Sequence, residues 1–105
     1  MQLHSDSFTH QARIPAEYAF GVPGTDAPMA FGANRNPHLA WREAPAGTRS
    51  YALICVDPDV PSVFDDANQP GRRIAHDLPR QDFIHWVMVD IPAEVHELAA
   101  GSCAE

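Results

Sequence analysis

The residues of this chain whose types and spacing could do chemistry lie in one short stretch, Asp57-Pro58-Asp59-Val60-Pro61, and at one later position, His85. Pro58 and Pro61 fix two φ angles and remove two backbone donors, so a strand entering this corner is expected to stop there and hold its carboxylates in a rigid turn. A carboxylate at the end of an apolar face needs a partner, because desolvating it alone is costly. His85, which interrupts an otherwise apolar run, is the candidate: an aspartate beside an imidazole orients the ring and favours its charged form. A small polar pocket in an apolar wall is the usual makeup of a ligand site. On the residues alone a second reading stands beside this one, in which Asp57 is a turn former and His85 a hydrogen-bonded core residue.

For Asp57 and His85 to meet, two strands must lie side by side. Arg49–Val56 is the clearest strand, with Tyr51, Leu53 and Cys55 on one side and Ala52, Ile54 and Val56 on the other. Both sets are apolar, the pattern of a central strand covered on both faces. Asp57 continues the face of Tyr51. A second strand spans Phe83–Ile91, with Phe83, His85, Val87, Val89 and Ile91 opposite Ile84, Trp86, Met88 and Asp90, and Pro92 ends it. Shorter strands are expected at Leu3–Phe8 and His38–Trp41. The segment from Ile14 to Phe31 is broken by Pro15, Gly21, Pro23, Gly24 and Pro28 and reads as irregular, with extended pieces near Tyr18 and Phe20. Between the long strands, Ser62–Asp82 has no periodicity and is long for a loop in a compact domain, the kind that is usually functional or mobile. Ala93–Ala100 has room for one helical turn.

Bulk composition narrows the class. The 105 residues are 45% hydrophobic and 20% charged, which places the chain with globular domains of one core. Ten prolines and six glycines, spread throughout, argue for strands and turns over long helices. Fourteen acids against seven basic residues, all arginine, give a formal charge of −7, which disfavours a phosphate-backbone partner. No apolar run approaches the length of a membrane span, and Met1–His10 has neither the basic nor the apolar part of a leader. Cys55 and Cys103 form no CxxC pair, so a reducing cytoplasm is the expected setting, with Cys55 a buried thiol. The six histidines show no metal-ligand spacing and read as solvated. No cofactor fingerprint or G-x-S-x-G elbow is present. Hydrolysis by Asp57 and His85 acting on a bound water stays open, but a nucleophile is missing unless Cys55 is exposed.

Four ordered blocks carry a resemblance: Asn36-Pro37-His38-Leu39-Ala40-Trp41, Pro45-Ala46-Gly47-Thr48-Arg49-Ser50-Tyr51, Asp57-Pro58-Asp59-Val60-Pro61, and His85-Trp86-Val87-Met88-Val89-Asp90-Ile91-Pro92. Together they resemble the phosphatidylethanolamine-binding protein family in its bacterial, Raf-kinase-inhibitor-like branch. The resemblance implies a mainly β fold, an antiparallel β-sheet sandwich with few short helices. It also implies a non-enzymatic pocket for phosphate or a phospholipid head group, with Asp57, Asp59, Pro61 and His85 lining it and Trp86 as a wall. No metal or cofactor is implied. An alternative is a protein-interaction regulator of the kinase- or protease-inhibitor type, acting through the 62–82 loop.

Three departures stand out. The 62–82 loop is longer than in compact bacterial members, Asn36 replaces a common serine, and the family's later glycine-x-histidine-arginine block is absent. Residues 1–105 are therefore expected to be the N-terminal portion of a single domain, completed by a separate segment or by a second copy in a homodimer, since a sheet without its later strands exposes edges and an apolar face.

Overall fold

The structure, a computed structural model, describes residues 1–64 and 70–103. It is mainly β and antiparallel. The elements are β1 (Gln2–His4), a 3₁₀ turn (Ala16–Tyr18), β2 (Gly21–Pro23), β3 (Met29–Phe31), β4 (Leu39–Arg42), β5 (Ser50–Pro61), β6 (Arg80–Pro92) and β7 (Glu97–Leu98). They form a three-stranded sheet in the order β1-β4-β7, a small β2–β3 ribbon, and the long β5–β6 pair. Among the described residues no helix is long and apolar enough to cross a membrane.

The three-stranded sheet is tied together at His38. Its Nδ1 accepts the Asp6 amide at 2.8 Å and its Nε2 meets Glu97 Oε2 at 2.9 Å, so one ring fastens the chain beyond β1 and the start of β7 to the entry of β4. Its side chain is only 12% exposed, so this histidine is a clamp and not the solvated residue expected. Ala40, Trp41 and Ile91 are the buried hydrophobic residues, and the Trp41 ring meets Tyr51 edge-on at 5.6 Å, which joins this sheet to one end of the β5–β6 pair.

β5 runs past its expected end. The ladder continues from Val56 to Pro61, which pairs with Arg80, after a register shift between Asp57 and Val60. Proline is tolerated because β5 pairs only with β6 and because Pro58 falls in the irregularity, where no ladder bond is lost. The strict alternation expected for β6 also fails. Tyr51 pairs with Ile91 and Leu53 with Met88, so β6 carries one surplus residue there, next to Asp90 in the left-handed region (φ 56°). Cys55 pairs with Trp86 but Val56 with Ile84, which leaves His85 as a second surplus residue. Each bulge shifts parity by one, so Val87 pairs with Ile54, and Met88 and Trp86 sit on the face of Leu53 and Cys55.

The expectation that β5 and β6 are covered on both faces is not met. Ile54, Val56, Ile84, Val87 and Val89 are 46–61% exposed, and among the described residues no other strand pairs with this ribbon. Cys55 is likewise exposed rather than buried. After β6 the chain turns at Ala93–Glu94, with the Val95 amide bonded to the Pro92 carbonyl at 3.0 Å, and enters β7 instead of a helical turn. The strand expected at Leu3–Phe8 is confined to β1, and the piece around Tyr18 is the 3₁₀ turn.

Candidate functional site

Asp57 stands where β5 leaves its regular ladder. Its Oδ1 accepts the Asp59 amide at 2.9 Å, an Asx turn that fixes the carboxylate, and its Oδ2 lies 3.3 Å from His85 Nε2. The ladder partner of Asp57 is Phe83, and the bulge brings the His85 ring onto the same face, where it meets Phe83 edge-on at 4.9 Å. Phe83, His85 and Trp86 thus reach one side of the ribbon within four residues, which a regular strand forbids. Bulges that re-aim one side chain recur beside binding sites for this reason.

The pair is accessible, with His85 and Asp57 side chains 41% and 42% exposed. Both open into a cavity of about 690 Å³ that Trp86 and Cys55 also line. The remaining wall comes from the irregular segment before β4, including Tyr18, Phe20, Arg35 and Asn36. That segment is ordered by its own backbone bonds: Gly32 N–H to the Phe20 carbonyl at 2.7 Å, Asn34 N–H to Ala19 at 3.1 Å and Arg35 N–H to Glu17 at 3.1 Å. Gly32 is required there, because a Cβ would lie 2.3 Å from the Ala19 carbonyl oxygen.

Asn36 is the buried polar residue of this wall, 5% exposed. Its Nδ2 donates to the carbonyls of Ala99 (3.0 Å) and Pro37 (3.2 Å), and its Oδ1 accepts the Cys103 amide at 2.8 Å. Its own carbonyl accepts from Gly101 at 2.8 Å. One amide side chain therefore straps residues 99–103 against the cavity and places Cys103 in its lining. A serine has too short a side chain and too few donors for these contacts.

Of the residues singled out from sequence, Asp57, His85 and Trp86 come together at this cavity. Asp59 does not line it. Its side chain is exposed, and its backbone serves the turn, donating to Asp57 and accepting Arg80 Nη1 at 3.2 Å. Pro61 does not line it either, and its carbonyl accepts Gln81 Nε2 at 3.4 Å. The 62–82 loop lies partly outside the described residues, at 65–69. Arg35, Cys55 and Cys103 were missed as site residues. The only signal for Arg35 was its place directly before the Asn36-Pro37 block. Among the described residues no group of three or more His, Cys, Asp or Glu side chains is placed to hold a metal ion.

Chemically, an Asp57 carboxylate at Nε2 leaves the other imidazole nitrogen, Nδ1, for the cavity. Protonated, His85 offers that N–H to an anion, while Asp57 fixes the ring and balances its charge.

A family model described as phosphatidylethanolamine-binding protein matches residues 4–105. The chain is 32% identical to the UPF0098 protein YbhB of Escherichia coli K12 over 96% of its own length and 50% of that protein. It is 31% identical to a UPF0098 protein of Aquifex aeolicus over 93% of its length and 41% of the relative. A third, from Methanothermobacter thermautotrophicus, is 30% identical over 90% of the chain and 44% of the relative. The chain thus spans about half the length of the curated relatives it matches, or less.

Proposed function

Since this chain belongs to the phosphatidylethanolamine-binding protein family, we propose that it binds small anionic or phosphorylated ligands, of the phosphate or phospholipid head-group type, in the cavity beside Asp57 and His85, and that it does so without catalysing a reaction. The observation that carries this reading is the 3.3 Å contact between the Asp57 carboxylate and the His85 ring at the wall of an open cavity. The ring is oriented before a ligand arrives, and preorganised donors bind at lower cost. Catalysis has weaker support: the Cys55 thiol reaches the cavity, but no base is bonded to its sulfur among the described residues.

The test is calorimetric titration of inorganic phosphate and of phosphoethanolamine into the wild type and His85→Ala. Binding by the wild type and its loss in the variant is the expected result. Equal binding by both removes His85 from the site.

We also read residues 1–105 as the N-terminal portion of one domain. Two observations support this: relatives about twice as long, and an apolar β5–β6 face exposed on a strand pair whose sequence pattern is that of burial. A further segment or a second copy would cover that face. Two free thiols fit a reducing compartment such as the cytoplasm.

A further inference from the structure

We infer that Arg35 is the cationic anchor of the cavity, held by Glu17 when the site is empty and released to the phosphate group of an incoming ligand. The inference rests on the ligand class proposed above and adds a residue that the D-P-D-x-P turn and the strand histidine do not supply.

The chain carries a formal charge of −7 and no lysine, so a cation facing a cavity is a scarce feature. Among the described residues lining this one, Arg35 is the only lysine or arginine. Asp57 stands in the same cavity, and an anion entering it meets a carboxylate as well as an imidazole. Net attraction requires a second positive group, and the guanidinium is the one available.

The geometry leaves that guanidinium largely free. Arg35 Nη1 is bonded to Glu17 Oε2 at 3.1 Å, while its other N–H donors have no protein partner among the described residues. A guanidinium presents five N–H donors in a fixed fork matched to a phosphate or carboxylate edge. Here most of the fork is unused. Arg35 and Glu17 side chains are 46% and 50% exposed, so their pairing is weak and screened, and exchanging it for a phosphate costs little. The main chain of Arg35 is nevertheless fixed, because its amide donates to the Glu17 carbonyl at 3.1 Å and the next residue is the buried Asn36. The cation therefore stays at the cavity while its partner is exchanged. Gly101 lies beneath it: a Cβ there would sit 2.6 Å from Nη2 and 2.8 Å from Nε.

The competing account is structural, with Arg35 and Glu17 merely stapling the 3₁₀ turn to the segment before β4. The two accounts differ in sign for Glu17→Gln. As an anchor, Arg35 freed of its carboxylate binds phosphate more tightly; as a staple, its loss loosens the wall and binding weakens or stays the same.

The experiment is titration of inorganic phosphate into the wild type, Glu17→Gln, Arg35→Gln, Arg35→Lys and His85→Ala. The expected result is several-fold tighter binding by Glu17→Gln, about tenfold weaker binding by Arg35→Gln, and an intermediate value for Arg35→Lys, which keeps the charge without the fork. Phosphoethanolamine and phosphatidylethanolamine vesicles are titrated in parallel to separate free phosphate from a head group. Wild-type binding that is lost in His85→Ala but unchanged in Arg35→Gln, or a Glu17→Gln variant no tighter than wild type, overturns the role of Arg35 and leaves the site standing. No phosphate binding by the wild type overturns both. If Arg35→Gln fails to fold, Glu17→Gln decides the matter with Arg35 in place.

Discussion

His85 Nε2 lies 3.3 Å from Asp57 Oδ2 even though the β5–β6 ladder pairs Asp57 with Phe83. The contact exists because one surplus residue in β6 swings the imidazole across to the acid. Asp57→Asn keeps an oxygen for the Asp59 amide but loses the charge that fixes the ring. Ligand affinity is expected to fall about tenfold, which corresponds to about 1.4 kcal/mol. Folding stability is expected to change by less than about 1 kcal/mol, because both side chains are well exposed. Calorimetric titration and urea unfolding of the same variant separate the two effects.

Asn36 carries more of the structure than a surface asparagine does. Asn36→Ala leaves the Cys103 amide and the Ala99 carbonyl without their partner at a buried position, and the loss expected is about 1–3 kcal/mol. Asn36→Asp is expected to cost more, since it buries a charge and removes both N–H donors. Urea midpoints give the stability. Faster proteolysis of the segment from Ala99 to Cys103 in both variants shows where the strap has opened.

The Cys55 thiol is exposed and lines the same cavity as His85. Native protein is expected to be alkylated at both Cys55 and Cys103 without denaturant. Saturating phosphoethanolamine should slow labelling at Cys55, read by mass spectrometry of the digested protein. A rate at Cys55 indifferent to ligand would place the bound molecule elsewhere.

The bare side of the β5–β6 ribbon makes a solubility prediction. Ile54, Val87 and Val89 are 54–61% exposed, so charged residues there remove apolar surface without opening a cavity. Ile54→Lys with Val87→Glu is expected to lower binding of a hydrophobic dye and to reduce aggregation at little cost to the chain's own stability. In a protein where this face is covered by further chain or by a second copy, the same pair would be strongly destabilising. Comparing the two identifies the cover.

The long strands were legible because their signal is local: alternation from Tyr51 to Val56 and from Phe83 to Ile91 needs no knowledge of what lies alongside. The meeting of Asp57 with His85 was one of two readings that the residues alone left open, and the family resemblance tipped the balance toward it. Their precise registration was not legible, because a bulge changes no composition. Asp90, at positive φ, marks only the other bulge of β6, opposite Tyr51 and Leu53, aspartate being among the few side chains that tolerate that region. The second wall was hidden for another reason. Tyr18, Phe20, Arg35 and Asn36 belong to an irregular segment whose placement depends on backbone bonds such as Gly32 to Phe20, which no periodicity announces. The exposure of Cys55 was misread because apolar alternation records the surroundings a strand is suited to, and in this structure its side of the ribbon faces an open cavity.

The surplus position in β6 has a consequence for how such a site changes over time. Ladder pairs constrain their members, since each must suit the residue across from it, but His85 is opposite none. Its side chain can be exchanged without disturbing a ladder pair, at the cost of its contact with Asp57, whereas deleting a single residue near it would restore ordinary alternation and turn the binding group away from the cavity. Ligand preference in this architecture is thus free to drift by substitution and is abolished by a change in length.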